Sequence, residues 1–303
     1  MTGRIVVVGS LNLDSTLRVD RLPAPGETVH SAPALCSPGG KGANQAVAAA
    51  LLGARVALVG AVGDDAAGRM LTAAAREAGV DVSTVRLVPG ATGQATIVVD
   101  RSAENMIVVD GGANASVDPQ HVRDDLADAD VVVTGNELTD AVAVAAAEHA
   151  AAAGAIVVHN PSPYRPLPVG MPHPQVLVVN EHEFALLGGV LDDASDGAAI
   201  TPEVPPELQA TAVVVTRGAR GAVVVERRTV TSVAAVSVAA VDTSGCGDAF
   251  LGALVERLAA GRTLTEAAEH AVRVGAFAAT REGTQSSYPT AEELRAWIGT
   301  QAG

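Results

Sequence analysis

The stretch Ile5-Val6-Val7-Val8-Gly9-Ser10-Leu11-Asn12-Leu13-Asp14 decides how the rest of the chain reads. Its four consecutive β-branched residues do not alternate with polar ones, the pattern of a strand buried on both faces in a parallel sheet covered by helices. The change to glycine, amide and carboxylate after Val8 matters as much. In open α/β sheets ligands sit beyond the carboxyl ends of the strands.

Working outward, similar apolar runs recur at residues 56–59, 131–133, 156–158, 176–179, 213–215 and 223–225. Ala-rich stretches with helical spacing lie between many of them. Residues 41–52, 65–78 and 140–153 stop at Gly53, Gly79 and Gly154, where a left-handed C-terminal cap belongs. A helix over 249–260 closes at Gly261, and the pairs Thr263/Glu266 and Thr290/Glu293 read as capping boxes opening two further helices, the last carrying Trp297. The alternation predicts a three-layer α/β/α fold with a mainly parallel central sheet. Residues 13–35 and 92–110 break it, the second with a hairpin pattern over Thr96–Val99 and Met106–Val109. They predict a small separate sheet.

Composition bounds the function. The 303 residues carry 34 acidic and 20 basic side chains, a formal charge of −14, which disfavours a nucleic-acid backbone or an anionic membrane as partner. Hydrophobic residues are 48% and aromatics 2%, so the core must be Ala, Val and Leu, and base-stacking platforms are lacking. Cys36 and Cys246 form no metal-binding or redox spacing. No apolar run reaches the ~18 residues of a membrane span, and no basic, cleavable leader precedes Ile5. A soluble, cytoplasmic protein is expected. Lys41 is the only lysine; every other cation is arginine.

Polar residues follow five of the strand runs: Gly9–Asp14, Thr134–Glu137, His159-Asn160-Pro161, Asn180–Glu183 and Thr216-Arg217-Gly218. One such run is an ordinary turn or cap. Five at the same end of a sheet favour a polar ligand site. The densest segment is Asp242-Thr243-Ser244-Gly245-Cys246-Gly247-Asp248, just before an apolar helix. Unobstructed N–H groups and the helix dipole favour an anion there. Asp248 beside that anion suits a general base for an attacking hydroxyl, or, more simply, a first-turn acid favoured by the dipole. The second glycine cluster, Pro38-Gly39-Gly40-Lys41-Gly42-Ala43-Asn44-Gln45, is not a Walker A sequence, and the chain has no dinucleotide-type GxGxxG after a strand. It reads as a helix start able to hold a polyhydroxylated ligand, or as a tight connection.

These segments, together with Pro25-Gly26-Glu27-Thr28, Val62-Gly63-Asp64-Asp65 and Glu104-Asn105 followed by Gly112-Ala113-Asn114, resemble in order and spacing the ribokinase-like or PfkB sugar and nucleoside kinases, its ribokinase branch in particular. The resemblance covers nearly the whole chain. It implies one ribokinase-like domain over residues 1–303 with a lid sheet from about 13–35 and 92–110, and a homodimer through that lid. It implies ATP-dependent phosphorylation of D-ribose at O5, with Asp248 as base and the N–H groups of Gly245, Cys246 and Gly247 as anion hole. By the same resemblance Asn12, Asp14, Gly40, Lys41, Asn44 and Glu137 hold ribose, and Thr216, Gly218, Asn180 and Gly247 serve ATP. Glu183, with Asn180, organises Mg²⁺ through water, while Asp242, Ser244, Ala278, Arg281, Gly283 and Ser287 supply oxygens to a potassium ion. A kinase for deoxyribose, fructose or adenosine, and a non-catalytic sugar-binding module, remain as alternatives.

Cys246 stands where relatives carry alanine or glycine. Either it is a small buried side chain, or its place at a helix N-terminus lowers the thiol pKa and makes it oxidation-sensitive. His159 and His182 lack ligand spacing and are expected at the site rim, hydrogen-bonded. Thr134-Gly135-Asn136 before Glu137 also departs from the family pattern.

Overall fold

The computed structural model describes residues 3–102, 104–192, 201–203, 205, 208, 212–226 and 229–301. In chain order the strands are β1 (Arg4–Val8), β2 (Asn12–Arg18), β3 (Leu35–Gly39), β4 (Arg55–Gly63), β5 (Val85–Val88), β6 (Gly93–Val99), β7 (Asn105–Asp110), β8 (Val131–Gly135), β9 (Ile156–Asn160), β10 (Val176–Asn180), β11 (Val190–Asp192), β12 (Thr201–Glu203), β13 (Ala212–Thr216), β14 (Ala222–Glu226) and β15 (Thr229–Val233). The helices are α1 (Lys41–Leu51), α2 (Ala66–Glu77), α3 (Pro119–Asp125), α4 (Asp140–Ala153), α5 (Glu181–Leu186), α6 (Cys246–Ala259), α7 (Leu264–Ala279) and α8 (Ala291–Gln301).

The central sheet has the order β15-β14-β13-β10-β9-β8-β1-β4-β5. It is parallel from β5 to β13 and antiparallel at β14 and β15. Its strands are the continuous Val runs of the sequence, and alternate residues face opposite layers. On β1, Ile5 and Val7 pack with α1, α6 and α7, whereas Val6 and Val8 pack with α3 and α4. Leu177, Val179 and Val213 form a third cluster under Phe184 of α5. Each fully buried Val or Leu contributes roughly 1.5–3 kcal/mol relative to exposure, so a core almost without aromatics is sustained by number.

Sequence expectations for the helices hold closely. Gly53, Gly79, Gly154 and Gly261 all adopt positive φ after their helices, and both Thr/Glu capping pairs form. One boundary moves: α6 begins at Cys246 rather than Ala249, which puts Asp248 in its first turn. Gly252, one turn further on, sits against α1. A Cβ there would come within 2.6 Å of the Ala48 Cβ and 2.7 Å of the Gln45 carbonyl oxygen. Only glycine permits this approach, which brings the start of α6 to the start of α1.

The second sheet has the order β3-β2-β6-β7, with β2 and β6 parallel and both outer pairs antiparallel. The hairpin is β6–β7, as its pattern indicates. The sheet reaches further than residues 13–35 suggest, because β3 continues through Pro38 and Gly39 into the glycine cluster. Asp65, the N-cap of α2, accepts from the backbone N–H and the hydroxyl of Thr92, joining the two sheets where β6 begins. Along β7 every residue is exposed, and Met106, Ile107, Val108 and Val109 with Leu35 of β3 present apolar side chains to solvent. Among the described residues no helix is long and apolar enough to cross a membrane.

Candidate active site

Beyond the carboxyl ends of β1, β8 and β9 lies a narrow cleft whose lining includes Ser10, Lys41, Gln45, Glu137, Asn160 and Ser162. Two helices begin beside it. α1 starts after Gly40, without a side-chain cap of its own. Its first N–H groups are filled by other segments: the Glu137 carboxylate accepts from the Lys41 N–H at 2.8 Å, and the Ser10 carbonyl from the Ala43 N–H at 2.9 Å. The Ser10 hydroxyl accepts from the Gly42 N–H at 3.5 Å and donates to Glu137.

α6 starts differently. Gly245 precedes it with φ +71°, and a Cβ there would lie 2.4 Å from the Thr284 Cγ2 and 2.7 Å from the Tyr288 hydroxyl. That hydroxyl donates to the Gly245 carbonyl at 3.1 Å and holds the turn in place. The N–H of Cys246 points to the Thr243 carbonyl at 3.3 Å. Among the described residues, the N–H groups of Gly245, Gly247 and Asp248 meet no acceptor. The unfilled donors at this end are therefore Gly245, Gly247 and Asp248, and Cys246 is already engaged.

Asp248 is buried, yet both its oxygens are served. Oδ2 accepts from Asn44 Nδ2 and Oδ1 from Gln45 Nε2, each at 3.0 Å, and Lys41 Nζ stands 4.0 Å from Oδ1. The Lys41 pKa is raised first by Asp248 and then, against its own burial, by Glu137, Glu183 and Asp14. One ammonium thus answers to four carboxylates. Asp14, on β2, lies over Gly39, where a Cβ would clash with its carboxylate. Burial first, then the charges of Glu137 and Asp248, raise its pKa to about 7 despite Lys41. Asn12 is buried beside it, its Oδ1 accepting from Asn114 Nδ2 at 2.8 Å. Asn114 also binds the Leu11 backbone through both amide atoms.

Across the sheet, Asn180 and Glu183 cap α5 reciprocally: the Glu183 N–H donates to Asn180 Oδ1 at 2.8 Å and the Asn180 N–H to Glu183 Oε2 at 2.9 Å. Thr216 ends the adjacent β13, and Gly218 follows with φ +53°. Glu181 ties the two segments by pairing with Arg217 and Arg220. Among the described residues no three His, Cys, Asp or Glu side chains cluster so as to hold a metal. A divalent ion at Glu183 would therefore keep waters or take other oxygens, as Mg²⁺ commonly does.

Behind the start of α6, Asp242 accepts from the Ser244 N–H at 2.9 Å and the Gly283 N–H at 3.0 Å. This brings the 242–244 turn against the 280–287 loop, where Ser287 is fully buried. The Ala278 carbonyl accepts from the Arg281 N–H, and the Arg281 side chain stacks on Phe277 and pairs with Glu293. The turn and the loop together bring a carboxylate, serine hydroxyls and backbone carbonyls into one neighbourhood, an all-oxygen donor set.

One alternative is decided and one expectation corrected. Burial, followed by the charges of Asp242 and Asp248, raises the Cys246 thiol pKa to about 11, which supports the small buried side chain and not an activated thiol. His159 is in the core, not at the rim: it is 0% exposed with Nδ1 2.9 Å from the Thr134 hydroxyl, and burial, then Arg165, lowers its pKa to about 4. Strand alternation explains this, since Asn160 faces α1 and His159 the opposite layer. His182 is exposed. Sequence reading missed Gln45, Asn160, Gln285 and Tyr288. Gln45 and Asn160 stood inside quoted segments, whereas nothing local marked Gln285 or Tyr288.

A model of pfkB family carbohydrate kinases matches residues 2–291. The chain is 32% identical over 301 residues to a ribokinase of Staphylococcus aureus, covering 97% of this chain and 99% of that one. It is also 32% identical over 300 residues to a deoxyribokinase of Salmonella typhi, covering 97% and 98%. The structure of Arabidopsis thaliana ribokinase complexed with ribose and ATP superposes with a TM-score of 0.83 at 26% identity, covering 98% of this chain and 99% of that one.

Proposed function

The chain belongs to the pfkB family of carbohydrate kinases, and from that premise we propose that it is an ATP-dependent kinase transferring the γ-phosphoryl group to O5 of D-ribose. The observation that carries the reading is Asp248, a buried carboxylate held by two amides at the start of a helix whose neighbouring N–H groups are unfilled. Asp248 takes the proton of the 5-hydroxyl as O5 forms its bond to phosphorus, the bond to the β-phosphate bridging oxygen breaks, and ADP leaves. The N–H groups of Gly245 and Gly247, with that of Asp248, receive the charge on the equatorial oxygens. Asn12, Asp14, Gly40, Lys41, Asn44 and Glu137 hold the sugar. A carboxyl group with a pKa near 7, such as Asp14, both donates and accepts across that value, which suits vicinal hydroxyls.

Thr216, Gly218 and Asn180 line the nucleotide side. Mg²⁺ held through water by Glu183 and Asn180 supplies charge neutralisation on the phosphates when bound. Potassium would take oxygens from Asp242, Ser244, Ala278, Arg281, Gly283 and Ser287, a reading supported by the contacts of Asp242 with Ser244 and Gly283. The second sheet acts as the lid of a single domain, and its exposed apolar strand β7 with Leu35 serves as the homodimer face.

The equal likeness to a deoxyribokinase favours one second reading, 2-deoxyribose as the better substrate. Coupled ADP assays with ribose, 2-deoxyribose, fructose and adenosine decide by kcat/KM. Ribose is expected first; a higher value for 2-deoxyribose replaces the sugar assignment, and sugar binding without ADP formation defeats the kinase reading.

A further inference from the structure

The two amides on Asp248 are themselves oriented from behind. Asn44 Oδ1 accepts from Gln285 Nε2 at 2.9 Å, so Asn44 Nδ2 is the atom left to face the carboxylate. On the other side Gln45 Nε2 donates to Asp248 Oδ1 and lies 3.4 Å from Asn160 Oδ1, while Asn160 Nδ2 donates to the Val178 carbonyl at 2.8 Å. An amide has a donor end and an acceptor end of nearly the same shape, and the partners on its two sides together decide which one points forward. An ionised carboxylate accepts only. A flipped Asn44 would place two acceptors against each other in a buried site.

We infer that Gln285 is a positioning residue that fixes the polarity of Asn44 and thereby keeps a donor on Asp248, with Asn160 doing the same for Gln45. Gln285 lies in the loop that also carries Gly283 and Ser287 and contacts α1. Any ordering of that loop is thus felt at the carboxylate through one amide. The inference rests on Asp248 being the base.

The test exploits direction. Gln285 is only partly buried, so substitutions there are tolerable for folding. Gln285→Met keeps the shape and removes the donor; Gln285→Glu keeps the shape and, as an acceptor, turns the Asn44 donor away from Asp248; Gln285→Lys changes the shape but keeps a donor. Thermal melts confirm that each variant is folded, and kcat and both KM values are measured. With Asn44 freed to turn its donor away from the charged Asp248, Gln285→Met is expected to lower kcat about tenfold. A larger fall is expected for Gln285→Glu and a smaller one for Gln285→Lys, with KM for ATP within about twofold of wild type. A packing role predicts the reverse, with the isosteric Met and Glu variants near wild type and Lys worst, and that order overturns the inference. Asp248→Asn is assayed in parallel. If it retains turnover the base assignment fails; if it is inactive while the Gln285 series follows packing order, only the relay fails.

Discussion

α1 and α6 begin alike and end up doing opposite things. Both follow a glycine at positive φ, neither has a side-chain cap, and the two starts meet where Asn44 and Gln45 donate to Asp248. At α1 the first donors are spoken for by Glu137 and Ser10, so the helix has become a platform presenting Lys41, Asn44 and Gln45. At α6, among the described residues, three N–H groups stay unfilled beside a carboxylate. The difference lies in what β1 and the loop after β8 bring up to each end. A helix N-terminus is an anion site only while the protein supplies no anion of its own.

Substitutions that touch the open end should therefore cost turnover, and those at the filled end should cost less or act through the sugar. The largest effect is expected for Asp248→Asn, a fall in kcat of about 10³-fold, the range of a lost general base, read in a coupled ADP assay. Turnover within tenfold of wild type would remove the chemistry from α6. Gly245→Ala comes next. Its Cβ would meet Thr284 and Tyr288 at a left-handed φ, so displaced donors should lower kcat about 100-fold with sugar KM nearly unchanged; a variant altered only in KM would make the two helix starts equivalent.

At the platform, Lys41→Arg should lower kcat/KM about tenfold, because a planar guanidinium does not replace a compact ammonium among four carboxylates. Unchanged kinetics would mean the only lysine is there by accident. The smallest effect concerns Asp14, whose raised pKa means that ionising it opposes folding. Its contribution to stability is full below the ordinary carboxylate value of 3.8 and is lost as pH rises through about 7. Asp14→Asn should thus melt above wild type at pH 8, with the gap closing by pH 4. A gap independent of pH would detach Asp14 from the charges of Glu137 and Asp248.

The contrast between the helices was only half legible beforehand. The glycines, Lys41, Asn44, Asp248 and the strand ends all stand in short local patterns that report backbone freedom, capping and periodicity. Gln45 was visible as a member of the glycine cluster but not as a partner of Asp248, because 203 residues separate them. His159 misled because a polar residue at a strand end looks like a ligand residue until alternation fixes its face. Cys246 stayed open between two readings because local sequence advertises the helix dipole and says nothing of desolvation.

By itself the sequence determined the layers: short β-branched runs without alternation read as strands covered on both faces, and glycine-terminated Ala-rich segments as the helices that cover them. It also determined which end of the sheet would be polar. Tertiary structure alone decided which helix start is filled and which is open, where Asp248 finds its amides, and that Gln285 stands behind Asn44. Those facts depend on long-range contacts, such as the approach of α1 and α6 over Gly252, and no local pattern of propensity or spacing encodes which partner will arrive.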